Sequence, residues 1–349
     1  MFKDQVILQI GTQRHQGWQE IEIRRSLEQI ADRFELALTE RWSDDGTTQA
    51  RPIRPGEKCK VYLGDDLLLT GHLDDVLPDY DAERHRIVAS GRSLAGDLVD
   101  CSGQEKRWEN RTLVQIVRAI CEEYGLDVID EAGADKKISH FSIEDGESPA
   151  EAIGRAAKNR GVRVVSDPRG SLIITDAQRR SVGTALELGV NVLSGRGEFS
   201  DRDRFAEYIV EGQSPGTDWF FGEAVAAPRG RAKDPRIRGS RRVLVVADTV
   251  VDRADCRQRA ELESRVRWAR GRGITYTVVG WRHEHGVWRP GDMVPVKDAY
   301  MGLDKEMLIS DVQLLDDEQG RRAELRVNPP EAFERVPVPE PEPEETGWW

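Results

Sequence analysis

The chain has 349 residues, 38% of them hydrophobic and 33% charged, with a formal net charge of −12. That length exceeds one small core and predicts two or three domains, while the acidic balance argues against general nucleic-acid affinity and against binding an anionic membrane surface. Four cysteines stand far apart with no C-x-x-C pair, which fits neither a disulfide framework nor a zinc site and predicts reduced thiols.

The N-terminal MFKDQVILQIG carries charge and no apolar core of signal length, so export by a leader of its own is not expected. From there to about residue 95 the pattern is that of strands. Val6, Leu8 and Ile10 recur with a period of two, as do Ile21 and Ile23, then Phe34, Leu36 and Leu38, then Cys59, Val61 and Leu63. Such spacing puts one face on a core and the other in water, and short strands at this frequency predict a small antiparallel barrel or sandwich. SLEQIADRF (26–34) reads as a short helix between strands.

The character changes near Ser93. NRTLVQIVRAICEEYG places Leu113, Ile116, Val117, Ile120, Cys121 and Tyr124 at helical spacing, with Asn110 as the expected cap and Gly125 as the stop. SPAEAIGRAAKNRG opens with Ser148, Pro149 and Glu151 in capping-box order and stops at Gly161. VRVVSDPRGSLIIT reads as a hairpin turning at residues 167–170. Strands return with RFAEYIVEGQ (204–213). A different stretch then holds a basic loop, the strand VLVVAD and the charged helix RADCRQRAELESRVRWAR. From Gly273 strands resume, so residues 214–270 read as an insertion into a strand-built domain. The tail VPVPEPEPEETGWW alternates Pro and Glu and favours extended, self-repelling chain.

One sequence is written twice. Arg54-Pro55-Gly56-Glu57 is echoed by Arg289-Pro290-Gly291-Asp292, and Val61 by Val296. After a longer turn in the second copy, LLLTGHLDDV aligns with EMLISDVQLL and DYDAERHRIVAS with DDEQGRRAELRV. Pro-Gly turns are common, so the weight rests on the order of the matching elements. The expectation is divergent duplication of one barrel, against two unrelated strand domains. A duplicated barrel multiplies symmetry, because three chains in a closed ring would present six similar barrels.

Four stretches carry a family resemblance: FAEYIVEGQ (205–213), LVVADTVVDRADCRQRAELESRVRWARGRG (244–273), YTVVGWRHEHGVWRPGDMVPVKDAYMGLDKEMLISDV (276–312) and LRVNPPEAF (325–333). Through them nearly the whole chain resembles the Mu-type baseplate hub family of contractile phage tails, the Mu-like tail protein P family. The resemblance implies a mixed β and α+β fold. It comprises a first tube-forming antiparallel β-barrel (1–96), a small α/β domain (97–185), a second barrel (186–213 and 271–333), a small domain inserted in it (214–270) and a Pro/Glu tail (334–349). It further implies a structural role in a phage or a phage-derived tailocin. A homotrimer with a pseudo-hexameric ring would link the six-fold tail tube to the three-fold spike. Implied partners are the spike, the tube or tube-initiator protein, other baseplate proteins, and the tape measure protein in the channel. The place is the virion, after synthesis in the bacterial host cytoplasm. No catalytic motif, cofactor or metal comes with the resemblance.

The remaining motifs have plainer readings. His283-x-His285 could ligate a metal from one side of a strand, but no third ligand lies nearby and a surface turn is preferred. The arginines from Arg253 to Arg272 could contact nucleic acid. However, Asp255–Arg259, Glu261–Arg265 and Glu263–Arg267 have the spacing of helical ion pairs, which favours a solvated or subunit-facing helix. No Gly-Lys-Ser/Thr phosphate loop and no Gly-x-Ser-x-Gly elbow occurs. Trp348 and Trp349 end the acidic spacer and are expected to be either a solvated tip or a docking anchor. Two other functions stay open: a tail-associated cell-wall hydrolase, which needs carboxylates in a cleft, and a carbohydrate-binding tail module.

Overall fold

The computed structural model describes residues 4–40, 53–81, 85–176, 180–213, 228–250 and 253–334. The first strand succession is β1 (Val6–Ile10), β2 (Gln13–His15), β3 (Glu20–Ser26), β4 (Arg33–Glu40), β5 (Lys58–Leu63), β6 (Asp66–Tyr80) and β7 (His85–Ser93). They pair antiparallel in the order β3-β4-β7-β6-β5-β1-β2. The period of two buries Ile21, Ile23, Phe34, Leu36, Cys59, Val61 and Leu63. Burial pushes the Cys59 thiol up to about 12, with Asp74 adding to the effect, so it is an inert core group.

SLEQIADRF is a bend, not the expected helix. Its backbone is committed elsewhere. Leu27 donates its N–H to Ser310, the Ser26 hydroxyl accepts from Glu28 N–H, and Ile30 carbonyl accepts from the Ser166 hydroxyl. Asp32, buried, accepts from Arg25 Nε at 3.0 Å, and burial raises its carboxyl although Arg25 opposes this.

The next unit contains α1 (Gly96–Asp100), β8 (Arg107–Thr112), α2 (Leu113–Cys121), β9 (Val128–Asp130), β10 (Lys137–Ser142), α3 (Pro149–Asn159), β11 (Arg163–Ser166) and β12 (Leu172–Thr175). It has its own apolar cluster, built from the helix faces that the spacing predicts. The capping box of α2 is Thr112 with Gln115 rather than one begun at Asn110, which instead sits in β8 with φ of 51°. Gly125 does end that helical stretch, in the left-handed conformation. The Ser148–Glu151 box of α3 forms as the sequence predicts. This unit is tied to the first succession by hydrogen bonds from Thr70 Oγ1 to Pro168 carbonyl at 2.8 Å and between the Ser93 and Ser166 hydroxyls at 2.8 Å.

The remainder holds β13 (Arg180–Ser181), β14 (Leu186–Glu187), β15 (Val192–Phe199), β16 (Glu207–Gln213), β17 (Arg229–Lys233), β18 (Arg242–Val250), α4 (Arg253–Arg270), β19 (Arg272–Val279), β20 (Arg282–His283), β21 (Gly286–Val287), β22 (Asp292–Asp298), β23 (Leu303–Asp316) and β24 (Arg322–Asn328). β15, β19, β24, β23 and β22 follow one another in pairing, with the short β13 and β14 added to β22. Residues 207–213, expected in the second barrel, pair instead with β17 and β18 in a separate three-stranded sheet covered by α4. The contact is close: a Cβ on Gly230 would lie 2.1 Å from Arg257 N. Residues 180–181, expected with the α/β unit, pair with β22.

The two successions are joined along one edge. β23 pairs antiparallel with β3, from Asp311 opposite Ser26 to Asp316 opposite Ile21, which links the two sets into one sheet of 14 strands among the described residues, over one shared apolar cluster. Arg282 reinforces the join, donating to Asp4 at 3.0 Å, Asp66 at 2.6 Å and the Leu63 carbonyl at 3.0 Å. Trp281 Nε1 donates to the Leu315 carbonyl at 2.9 Å.

Candidate functional site: matched turns and sheet edges

The two Arg-Pro-Gly turns are built alike at the level of single bonds. Pro55 and Pro290 precede glycines whose φ values, 83° and 92°, are those that a type II turn demands at its third residue. Glu57 N–H donates to Arg54 carbonyl and Asp292 N–H to Arg289 carbonyl, each at 3.4 Å. Gly56 N–H reaches Leu73 carbonyl at 2.7 Å, and Gly291 N–H reaches Ile309 carbonyl at 2.8 Å. In both copies the register then shifts by a bulge, between Leu73 and Asp75 and between Ile309 and Asp311. Arg54, Pro55, Gly56 and Arg289 are exposed and Pro290 half-buried. These residues shape strand entry, and no ligand-like group converges on them.

Strand order agrees as well. β3-β4-β7-β6-β5 in the first succession corresponds to β15-β19-β24-β23-β22 in the second. Val61 and Val296 take equivalent places, as the sequence suggests. The alignment of LLLTGHLDDV with EMLISDVQLL does not hold. Leu73 corresponds to Ile309, three residues before the Val312 that the alignment gives it. An odd slip would turn every side chain to the wrong face. The longer turn in the second copy hides the true register.

The edges differ. β3 is covered by β23, whereas its counterpart β15, apart from one bridge between Val192 and Leu188, pairs only with β19 among the described residues. The second half of β6, counterpart of the part of β23 that covers β3, pairs only with β7 among them.

Known proteins resemble the chain at every level. Residues 5–93 match the model of the Mu phage baseplate assembly protein GpP-like N-terminal domain, 95–176 that of the baseplate hub protein gp44-like second domain, and 252–336 that of the GpP fourth domain. The baseplate hub protein gp44 of Escherichia phage Mu is 31% identical over 335 residues, 92% of this chain and 86% of that protein. The chain belongs to the Mu-type baseplate hub family. The crystal structure of the prophage MuSo2 43 kDa tail protein from Shewanella oneidensis is 34% identical, with TM-score 0.84 over 95% of this chain and 100% of that one. The tail protein of Neisseria meningitidis MC58 shares the fold at 22% identity, with TM-score 0.77 over 96% of this chain and 100% of that one. The antiparallel, strand-dominated architecture and a place in the phage tail baseplate are those of this family.

The other motifs of this hub chain have structural explanations. His283 precedes a hairpin turn and His285 lies within it, with ring centroids 6.4 Å apart, and His283 Nδ1 accepts from His285 N–H. Among the described residues no group of three or more potential metal ligands forms. In α4, Glu263 pairs with Arg267 at 3.0 Å and with Arg259 at 3.7 Å. The expected Glu261–Arg265 pair does not form. Glu261 pairs with Arg257, and Arg265 reaches Glu334 at 3.0 Å. The side chain of Asp255 lies outside the described residues.

A cleft of about 700 Å³ runs beside α4, lined by Lys158, Glu198, Asp203, Glu263, Arg270 and Arg326 among others. Its Glu263 is held by two arginines, an arrangement suited to a structural ion network and unlike the general acid of a glycosidase. Glu105 is raised by hydrogen bonding and charge from Asp145, but this carboxyl pair sits fully in solvent. Trp348 and Trp349 lie outside the described residues.

Proposed function

We propose that the chain is a symmetry adaptor in the baseplate: a homotrimer whose paired strand successions make a pseudo-hexameric ring, joining a six-fold tail tube to a three-fold spike. One observation carries this, the β3–β23 ladder that joins two equivalent successions edge to edge within one chain. Such a join, repeated between chains with a rotation of one sixth of a turn, would close into a ring in which three chains supply six units. The division into two tube-forming units, an α/β unit and a small inserted unit belongs to the same reading. The spike, the tube or tube-initiator protein and other baseplate proteins would meet the two faces, with the tape measure protein in the channel. The protein would be made in the host cytoplasm and act in the virion. Its work would be geometric and not catalytic, and it would need no cofactor.

Copy number within the particle tests this. Electron cryo-microscopy of the assembled baseplate should place three chains in the hub ring, and six or one would overturn the proposal. Purified protein should leave peptidoglycan intact in a zymogram. Clearing that a single Asp or Glu substitution abolishes would favour the hydrolase.

A further inference from the structure

The join inside the chain specifies the join between chains. We infer that the subunit seam is an antiparallel β-ladder between the second half of β6 in one copy and β15 in the next, with Asp75 opposite Ser200 and Tyr80 opposite Gly195. This rests on the ring reading above and assigns its contact.

The register comes from the chain's own ladder. β23 lies on β3 with Val312 opposite Arg25, Leu314 opposite Ile23 and Asp316 opposite Ile21. The pairing of β6 with β7 and of β23 with β24 makes Val76, Pro78 and Tyr80 the counterparts of Val312, Leu314 and Asp316. The pairing of β3 with β4 and of β15 with β19 makes Gly195, Gly197 and Phe199 the counterparts of Ile21, Ile23 and Arg25. Transferring the ladder sets Val76 opposite Phe199, Pro78 opposite Gly197 and Tyr80 opposite Gly195.

The backbone is oriented for it. Ser200 N–H donates inward to Gly271 carbonyl. Antiparallel alternation therefore turns the N–H and C=O of Phe199, Gly197 and Gly195 toward the outer edge. On β6, Pro78 stands opposite Ile87 of β7. Proline within a sheet is tolerated where its missing donor faces a free edge, so Val76, Pro78 and Tyr80 turn outward together. Pro78 contributes only its carbonyl to the seam. That missing donor also discourages indiscriminate pairing of this edge with other strands.

Side chains agree on both faces. Phe199 is 53% exposed and Tyr80 is 77% exposed, large apolar surfaces for a strand edge. The ring of Tyr80 would approach Gly195 from the open edge, beside the Tyr276 ring that already packs against that glycine. On the other face Asp79 would stand directly opposite Arg196, a favourable cross-strand charge pair. Leu77 and Glu198, both exposed, would form a non-hydrogen-bonded pair. Such pairs bring Cα atoms to roughly 4.5 Å, within reach of a disulfide.

The test is a Leu77→Cys, Glu198→Cys double variant in a Cys101→Ser background, which removes the exposed native thiol. After mild oxidation it is read by non-reducing electrophoresis and native mass spectrometry beside the unmodified chain. The expected result is a covalent three-chain species that reductant dissolves and that neither single-cysteine variant gives. Three chains by native mass without a 77–198 disulfide would overturn the seam and leave the trimer standing. That disulfide in an assembly of another size would uphold the seam and overturn the trimer. No assembly at any concentration, with native circular dichroism, would overturn both. Charge exchange gives a second measure: Arg196→Asp should raise the trimer dissociation constant about tenfold, and adding Asp79→Arg should restore it. Failure of the second change to restore it would count against the register.

Discussion

Two equivalent places in the two successions solve the same problem with opposite chemistry. Counting along the paired strands, Leu36 of β4 corresponds to Tyr276 of β19, and counting from the Arg-Pro-Gly turn, Leu63 of β5 corresponds to Asp298 of β22. Leu36, Leu63 and Tyr276 are fully buried and Asp298 is 4% exposed. The first copy fills these places with hydrocarbon. The second donates the Tyr276 hydroxyl to Asp298 Oδ2 at 2.9 Å and closes the carboxylate's remaining need with Met301 N–H on Asp298 Oδ1 at 2.9 Å. Burial and the carboxylate push the Tyr276 phenol well above its ordinary range. The difference teaches that strand order and turn geometry define this unit, while its interior can be apolar or polar if each polar atom is matched. The polar version also anchors the longer turn at 299–302, which holds Tyr300 85% exposed.

Breaking the comparison most severely means giving the first copy half of the second copy's chemistry. Leu63→Asp would remove a buried leucine and leave a carboxyl with no tyrosine opposite. A loss of roughly 3–5 kcal/mol is expected from lost burial and an unmatched polar group. Chemical denaturation measures it, and a loss under about 1 kcal/mol would mean the two sites are not equivalent in environment. Tyr276→Phe keeps the ring and removes one charge-assisted hydrogen bond, so a smaller loss of about 1.5–3 kcal/mol is expected by the same measurement.

The smallest effect is electrostatic. Arg322 and Arg86 occupy equivalent places on β24 and β7. Arg86 pairs with Glu20 across to β3, while Arg322 grips Asp317 in the adjoining turn with contacts of 2.6 and 2.8 Å. That hydrogen bonding, with the N–H of Gln319, lowers the Asp317 carboxyl from 3.8 to about 2. Because folding lowers this pKa, the pair's contribution is present above 3.8 and is lost as pH falls toward about 2. Carboxyl NMR should place the Asp317 midpoint near about 2 in the native protein. Substituting Arg322→Gln should return it to the ordinary range, and a midpoint that does not move would detach it from the arginine.

Much of the fold was legible in the sequence because it depends on neighbours in the chain. The period-two strands, the Ser148–Glu151 cap, the Gly125 stop and the two Pro-Gly turns all follow from local stereochemistry. The misreadings share a cause in tertiary choice. SLEQIADRF has helical composition, yet its backbone groups are claimed by Ser310 and Ser166 from far along the chain. FAEYIVEGQ alternates like any barrel strand, and nothing in alternation says that its partners are β17 and β18. Thr112 outcompetes Asn110 as a cap because Gln115 stands where a capping box needs it. Of the candidate site, the repeated turns were visible and the edges were not. A strand's pattern reports which face is buried, never which edge remains open.

The ladder between β3 and β23 also sets the order of events at the ribosome. β3 is made near the start of the chain, and its partner from Asp311 to Asp316 follows only after roughly 290 further residues, an extreme of sequence separation for a structural contact. Until then the nascent chain carries an open edge and an incomplete apolar cluster, the features that recruit chaperones and invite aggregation. Under the proposed seam the edges between chains would match the internal edge, so a truncated product lacking β23 would offer β3 to the edge proposed for β15. In the proposed ring, late synthesis of the C-terminal strands would act as proofreading by length: only a finished chain would present one acceptor edge to its neighbours, so assembly would begin with complete subunits.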